Sequence, residues 1–178
     1  MSKALRAQFK HVGIHVTDVD KMVDFYTQWF GLVKTDEGNG PVGKGVFLSS
    51  DPHEHHQIVF VGGRAPGTPS IINQLSFMVE DLPALRAYHE RARNEERTIT
   101  QVKSHGNSLS IYVLDPEGNQ MEIYCETPWY VSQPVSLPLD FSHSDEEILA
   151  RVEAAVRANP TFMMQEAWVK KAEQLMAG

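Results

Sequence analysis

The chain has 178 residues, with 23 acidic and 16 basic side chains, a formal net charge of −7 and a single cysteine, Cys125. This acidic balance argues against a nucleic-acid partner, because phosphate binding requires a concentrated basic face. No apolar run approaches the length of a membrane span, and the N-terminal segment MSKALRAQFKH lacks the features of a signal peptide. One cysteine excludes an intrachain disulfide and is typical of a reducing compartment, so we expect a cytoplasmic protein.

The first predicted elements belong to an internal repeat. Residues 10–19 read KHVGIHVTDV and residues 73–82 read NQLSFMVEDL, so that Asp18 and Asp81 lie 63 positions apart. Both segments alternate apolar and polar residues with period two, which predicts a half-buried strand in each. Similarity at a fixed offset indicates two structural units of the same kind.

In the first copy, the strand leads into a helix. The polar face of the strand carries three residues, His11, Gly13 and His15. Asp18 is the predicted N-cap of the helix and Gly31 its C-terminal stop. Two further strands are predicted over 45–50 and 57–61.

The second copy has the same order. The polar face of its strand carries Gln74, Ser76 and Met78. Asp81 is the predicted helix cap, with Pro83 in the first turn. Strands are predicted over 109–114 and 120–125, joined by the turn DPEGN. Their alternation places on the polar face the residues Ser110, Tyr112, Gln120, Glu122 and Tyr124.

This order predicts an α+β fold of paired βαβββ modules, in which a curved mixed sheet forms a cup with helices on the outside. The halves run over about 9–65 and 70–125, within a domain of residues 1–130. Polar side chains on an inner strand face cost free energy unless they are satisfied, so the polar concave face is the main indication of function.

Residues 126–178 lie outside the repeat, and within them residues 131–178 are predicted to form a C-terminal helical extension. Ser144 and Glu147 form a capping box for one helix, and a last helix is expected over about 164–176. This extension could cover an apolar surface of the domain or contact a partner subunit, and the sequence leaves both open.

Several motifs carry a resemblance to a known family. His11-Val-Gly-Ile-His-Val with Asp18, then Phe25-Tyr26 and Phe30-Gly31-Leu32, resembles the opening of a module of the vicinal oxygen chelate superfamily, which includes glyoxalases, bleomycin resistance proteins and extradiol dioxygenases. Asp115-Pro-Glu-Gly-Asn-Gln-Met-Glu122 resembles its closing strand. The resemblance covers about residues 9–125.

The resemblance implies three metal ligands, His11, Gln74 and Glu122. All three lie on the predicted concave faces. An imidazole, an amide oxygen and a carboxylate suit Fe(II) first, with Mn(II), Ni(II) or Zn(II) as alternatives. Glyoxalase-type members have a fourth ligand, a carboxylate, and the repeat places Val59 at that position.

The resemblance is therefore closest to the type I extradiol ring-cleavage dioxygenases. These place histidine where this sequence has Gln74, which is a weaker ligand. The resemblance implies that His56 acts as the base on a catechol, and that His105 and Tyr112 hydrogen-bond the bound substrate oxygen. The expected lining of the substrate pocket is His15, Phe47, Met78 and Tyr124.

The expected activity is thus opening of a small aromatic diol by O₂, with neither a membrane nor nucleic acid as partner and with a homodimer as one possible assembly. Two alternatives stay open at this point. One is another metal-dependent enzyme of the same fold, such as a lyase or an isomerase. The other is a metal-free protein that binds a small molecule, as a resistance protein does.

Overall fold

The structure is a computed structural model, described for residues 7–177. More than half of the N-terminal segment considered for a signal peptide, residues 1–6, lies outside the described residues. The chain divides into two compact units. The first unit contains the residues up to Ile71 together with Asp115–Gly118, and the second contains Ile72–Leu114 together with the described residues from Asn119 onward.

The first unit has a four-stranded mixed sheet and one helix. Its strands occur in the order β1-β4-β3-β2, with β1 parallel to β4 and the other neighbours antiparallel. The elements are β1 (Val12–His15), α1 (Val19–Phe30), β2 (Val33–Gly40), β3 (Gly43–Ser49) and β4 (Ile58–Val61).

The second unit repeats this arrangement and extends it. Its sheet has the order β10-β6-β7-β8-β5, with β5 parallel to β8. The elements are β5 (Leu75–Met78), α2 (Leu82–Asn94), β6 (Ile99–Ser104), β7 (Ser108–Leu114), β8 (Gln120–Glu126), β9 (Trp129–Tyr130), β10 (Leu137–Pro138), α3 (Asp145–Val156), β11 (Met163–Met164) and α4 (Gln165–Ala177). The α+β class and the βαβββ order of both halves are confirmed.

The register of the parallel strands follows the sequence repeat. In the first unit Gly13 pairs with Val59, and in the second unit Ser76 pairs with Glu122. Both pairs are related by the same offset of 63 positions. Val59 therefore occupies in the first unit the place that Glu122 occupies in the second.

Both helices begin where the sequence predicts. The Asp18 side chain accepts a hydrogen bond of 3.0 Å from the Lys21 amide, and Gly31 ends α1 in the left-handed region with φ at 66°. The Asp81 side chain caps α2 by accepting from the Ala84 amide at 2.9 Å. Such caps each stabilise a helix by about 1 kcal/mol.

An apolar core supports each sheet. In the first unit, helix α1 and the strands bury Ile14, Val16, Met22, Tyr26, Trp29, Val46, Leu48 and Phe60. In the second unit, the buried side chains include Leu82, Leu85, Ala92, Leu109, Ile111, Val113, Met121 and Ile123. Full burial of one large apolar side chain contributes roughly 1.5–3 kcal/mol, so these cores dominate the stability of the units.

Two long strands, β2 and β6, were not predicted. Every residue of β2 is exposed and its sequence, VKTDEGNG, shows no alternation, as befits the edge of a sheet. In β6 a register shift between Ile99 and Gln101 interrupts the period of two. An edge position and a bulge both remove the pattern on which a strand prediction rests.

The C-terminal extension is helical as expected. Ser144 and Glu147 form the predicted capping box of α3, and Gln165–Ala177 forms α4. The segment between β8 and α3 packs on the loop at Gly106, where an added Cβ would meet Val131 at 2.8 Å. Within residues 7–177, none of the helices combines the length and apolar character needed to cross a membrane.

Candidate functional site

Glu122 is the centre of a polar cluster in the second unit. It lies in β8, where Ser76 of β5 and Tyr112 of β7 are its partners in register on either side. The glutamate is 7% exposed and Tyr112 is 2% exposed. The pairing brings to one place three side chains that are far apart in the sequence.

Four side-chain donors surround the Glu122 carboxylate. Oε1 accepts hydrogen bonds from the Tyr112 hydroxyl at 2.8 Å and from the Ser110 hydroxyl at 2.9 Å. Oε2 accepts from Gln74 Nε2 and from the Ser76 hydroxyl, both at 2.6 Å. A carboxylate offers about four lone-pair directions, so neutral donors from this unit occupy all of them.

Tyr112 connects Glu122 to His105. Burial and the hydrogen bond to Glu122 raise the pKa of Tyr112, so that its phenol keeps its proton at neutral pH. The Tyr112 hydroxyl lies 2.8 Å from His105 Nε2, and Nε2 lies 3.7 Å from Glu122 Oε1. The three side chains are linked at hydrogen-bonding distances, and the one phenolic hydrogen of Tyr112 serves the contact with either Glu122 Oε1 or His105 Nε2.

The first unit gathers a second set of predicted residues. The rings of His11 and His56 have centroids 4.2 Å apart, and the Phe47 ring lies 5.0 Å from that of His56. His55 Nδ1 lies 2.9 Å from His56 Nδ1. His11 is exposed, whereas Phe47 and His56 are half-buried.

His56 is suited to accept a proton. Burial lowers its pKa, and the neighbouring His11 lowers it further, so that the neutral imidazole is favoured. Continuous alternation back from Val59 would turn the His56 side chain away from the polar face. Strand β4, however, begins only at Ile58, and the loop before it places the His56 ring against His11.

The other expected pocket residues are less enclosed. His15 is exposed, with Nδ1 3.3 Å from the Gly62 carbonyl oxygen. Met78 is exposed, and Tyr124, its partner in register, is half-buried. Burial raises the pKa of Tyr124, so this phenol is also a donor at neutral pH.

Two site residues, Ser76 and Ser110, had no role in the sequence prediction. Both alternate on the polar faces that were identified there, two positions after Gln74 and two before Tyr112. The sequence indicated these two serines only by placing them on the same strand faces as Gln74 and Tyr112. Their contacts with Glu122 depend on strand pairing over 46 and 12 positions, which alternation alone does not specify.

The polar cluster contains a carboxylate and an amide, which are side-chain types that divalent cations use as ligands. Among residues 7–177, no Lys or Arg nitrogen lies within 4.0 Å of the Glu122 carboxylate. Buried carboxylates are ordinarily paired with a cation or a metal. Gln74 directs its Nε2 at Glu122. In the described residues its Oε1 accepts no hydrogen bond, so this amide oxygen is available as a ligand. No group of three or more His, Cys, Asp or Glu in the described chain has the arrangement of a metal site, and the expected set contains only two such residues.

A comparison with protein families identifies the class. Residues 8–123 match the model of the Glyoxalase/Bleomycin resistance protein/Dioxygenase superfamily. This match covers well over half of the 178 residues, and the chain belongs to this superfamily. The family named from the sequence motifs is thereby confirmed. A comparison with curated proteins gives no match.

Solved structures share the fold at low sequence identity. A glyoxylase/bleomycin resistance protein/dioxygenase domain from Frankia sp. EAN1pec aligns with a TM-score of 0.58 at 20% identity, over 70% of this chain and 100% of that one. The fosfomycin resistance protein FosX from Listeria monocytogenes, complexed with Mn(II) and sulfate, gives 0.55 at 17%, over 69% and 95%. TnmS3, an antibiotic binding protein from Streptomyces sp. CB03234, gives 0.57 at 17%, over 70% and 100%. At these identities the likeness supports the fold alone.

Proposed function

We propose that this chain is a metal-dependent extradiol dioxygenase, which opens a catechol-type ring with O₂. The observation that carries the proposal is the series of close polar contacts from His105 through Tyr112 to Glu122. A tyrosine ten positions before the glutamate and a histidine in the preceding loop were expected from the resemblance to this class. Tyr112 donates to Glu122 Oε1 at 2.8 Å and His105 Nε2 lies 3.7 Å from the same oxygen, which supports a shared role.

The residues expected to hold the metal are His11, Gln74 and Glu122, with Fe(II) as the first candidate and Mn(II), Ni(II) or Zn(II) as alternatives. When bound, such a cation acts as a Lewis acid and as a template for a substrate with two adjacent oxygens. Gln74 would have to present Oε1 rather than Nε2, which a turn of its terminal amide accomplishes.

The side chains around the carboxylate have distinct roles in this proposal. Tyr112 keeps its proton and donates a hydrogen bond to a substrate oxygen, stabilising the negative charge that develops there. His105 orients the Tyr112 hydroxyl. His56, a neutral imidazole at pH 7, removes a proton from the catechol.

The test is reconstitution with Fe(II) under anaerobic conditions, followed by air and a panel of catechols. We expect a yellow ring-fission product from the wild type. Tyr112→Phe, which keeps the ring and removes the hydroxyl, should lower kcat about 100-fold, the range for loss of one positioned donor. Absence of turnover with every catechol in metal-loaded protein would contradict the dioxygenase activity.

Metal analysis tests the ligands separately from the reaction. We expect one equivalent of metal in the wild type, its loss in Glu122→Ala and tighter iron binding in Gln74→His, because imidazole is the stronger ligand. Unchanged metal content in both variants would refute this ligand set. Bound nickel or zinc with indifference to O₂ would instead indicate a lyase or an isomerase.

A second candidate function is metal-free binding of a small molecule. The observation that favours it is the complete set of four neutral donors on Glu122, which leaves no lone-pair direction for a cation unless Gln74 turns. A protein that binds no metal after reconstitution, yet retains a small aromatic ligand in equilibrium dialysis, would identify this function.

The proposed setting is the cytoplasm, where the lone Cys125 stays a thiol. The proposed partners are a small aromatic diol and O₂. We also propose a homodimer as the assembly, which sedimentation velocity of the full chain distinguishes from a monomer.

A further inference from the structure

The segment that follows β8 encloses the loop that carries His105. The Gly106 carbonyl oxygen accepts hydrogen bonds from the Thr127 hydroxyl at 3.0 Å and from Trp129 Nε1 at 2.7 Å. The Thr127 amide donates to the Asn107 carbonyl at 3.1 Å. Thr127 and Trp129 are both buried. The backbone at Gly106 and Asn107 is thus fixed by residues just outside the repeat.

The same segment also fixes the ring of His105. Nδ1 lies 3.0 Å from the Val135 carbonyl oxygen, and Nε2 lies 2.8 Å from the Tyr112 hydroxyl. A carbonyl oxygen only accepts hydrogen bonds, so Nδ1 must carry the hydrogen in this contact. The Val135 carbonyl therefore fixes the orientation of the ring and retains a hydrogen on Nδ1, while Nε2 faces the Tyr112 hydroxyl.

One side chain, Gln133, connects the two partners of that contact. Its Nε2 donates to the His105 carbonyl at 2.7 Å and to Asn107 Oδ1 at 3.0 Å. Its Oε1 accepts from the Val135 amide at 3.0 Å. The side-chain amide of Gln133 thus donates to the loop of His105 and accepts from Val135. It thereby sets the distance between the His105 backbone and the Val135 carbonyl, which holds the His105 ring.

We propose that Gln133 is a positioning residue for His105, acting through the backbone of Val135. The inference rests on the proposed function, in which His105 orients Tyr112. It assigns to the start of the C-terminal extension a role in positioning a side chain of the site. Hydrogen-bond partners one step removed from the reacting groups typically change activity 10- to 100-fold when they are removed.

Gln133 is a practical residue to substitute because it is exposed, so that its truncation leaves no cavity in the core. Gln133→Ala removes both ends of the bridge. Gln133→Glu retains an acceptor for the Val135 amide, but it places a carboxylate oxygen against the carbonyl of His105. Ser136→Ala, at an exposed position in the same segment, is the matched control.

The first measurement is the long-range ¹H–¹⁵N spectrum of the His105 imidazole in the full-length protein, without substrate. We expect Nδ1 to carry a hydrogen that exchanges slowly in the wild type and in Ser136→Ala. Gln133→Ala and Gln133→Glu should both show partial loss of the hydrogen from Nδ1 or its faster exchange, with unchanged far-UV circular dichroism. A His105 spectrum in Gln133→Ala identical to that of the wild type would overturn the proposal.

The second measurement is steady-state turnover of the catechol found for the wild type. We expect kcat to fall about tenfold in both Gln133 variants with little change in KM, because alignment of the proton donor is lost and not the binding of substrate. Failure of the proposed function and failure of the positioning role of Gln133 would give different results. If the wild type turns over no catechol, the imidazole spectrum still tests the positioning role, whereas full kcat in both variants would refute that role and leave the dioxygenase intact.

Discussion

Ser110 contributes a hydrogen bond to a carboxylate that is itself buried. Its side chain is 0% exposed, and its hydroxyl lies 2.9 Å from Glu122 Oε1. A hydrogen bond to a charged group contributes about 1.5–3 kcal/mol, more than one between neutral groups. Loss of this donor leaves the carboxylate with three partners.

We therefore expect Ser110→Ala to lower the free energy of unfolding by about 1.5–3 kcal/mol, measured by urea denaturation. Ser136→Ala, the same truncation at an exposed position, should change it by less than about 0.5 kcal/mol. Equal effects of the two substitutions would mean that the contact with Glu122 adds no stability.

The buried thiol of Cys125 makes the stability of the fold depend on pH. Burial, with a smaller contribution from Asp81, raises the pKa of its thiol to about 11. The unfolded thiol ionises near pH 8.5. Between this pH and about 11, the thiol is therefore ionised in the unfolded protein and protonated in the folded protein. Stability from this group is thus complete below about pH 8.5 and declines as the pH rises toward 11.

The corresponding experiment is alkylation with iodoacetamide at pH 8. We expect the folded protein to react at least 100-fold more slowly than the protein in urea, because only the thiolate reacts and the side chain is 1% exposed. Raising the pH from 8 to 10 should increase the rate of the folded protein. Rapid, complete alkylation of the folded protein at pH 8 would contradict this description of the thiol.

At the scale of elements, the turn between β7 and β8 belongs to the first unit. Glu117 Oε1 accepts from the amides of Thr17 and Asp18, both at 2.7 Å. Asp115 accepts from the Tyr26 hydroxyl at 3.0 Å. The turn thereby satisfies backbone donors just before α1, and burial beside Asp115 raises the pKa of Tyr26, which remains a neutral donor.

We expect Glu117→Ala to destabilise the fold by about 2 kcal/mol, because two backbone amides at the start of α1 lose their acceptor. Glu117→Gln retains one oxygen and should cost less than half of that. Thermal and urea denaturation of the two variants provide the comparison. An equal loss in Glu117→Gln and Glu117→Ala would show that the negative charge beside Arg64, which both variants remove, matters and that the acceptor oxygen does not.

The sequence predicted the elements with strong local signals. The caps at Asp18, Asp81 and Ser144 were correct, because a short polar side chain before an amphipathic run satisfies the first amides of a helix. Strands β2 and β6 were missed for the complementary reason. An exposed edge strand and a bulged strand lack the alternation that burial of one face imposes.

At the scale of the whole molecule, metal binding should stabilise the fold. A ligand that binds only the folded state, at 100 times its Kd, adds about 2.7 kcal/mol. For a chain of this size we expect Fe(II) or Mn(II), added anaerobically, to raise Tm by roughly 5–10 °C. Gln74→His should increase the shift and Glu122→Ala should abolish it. No shift in the wild type with any of the four metals would favour the metal-free function.

The sequence by itself determined the repeat, its offset and the family, because alternation, caps and the DPEGN turn are encoded by neighbouring residues. It also placed Gln74, Tyr112 and Glu122 on polar faces, since parity along a strand is a local property.

Only the tertiary structure decided which of these side chains touch. Ser76 reaches Glu122 through parallel pairing of β5 and β8, His56 turns toward His11 because β4 begins at Ile58, and a carbonyl 30 positions away holds the His105 ring. These contacts depend on strand register, on where a loop ends and on how an extension packs. Such features are set by the free energy of the whole fold and leave no periodic mark in the sequence.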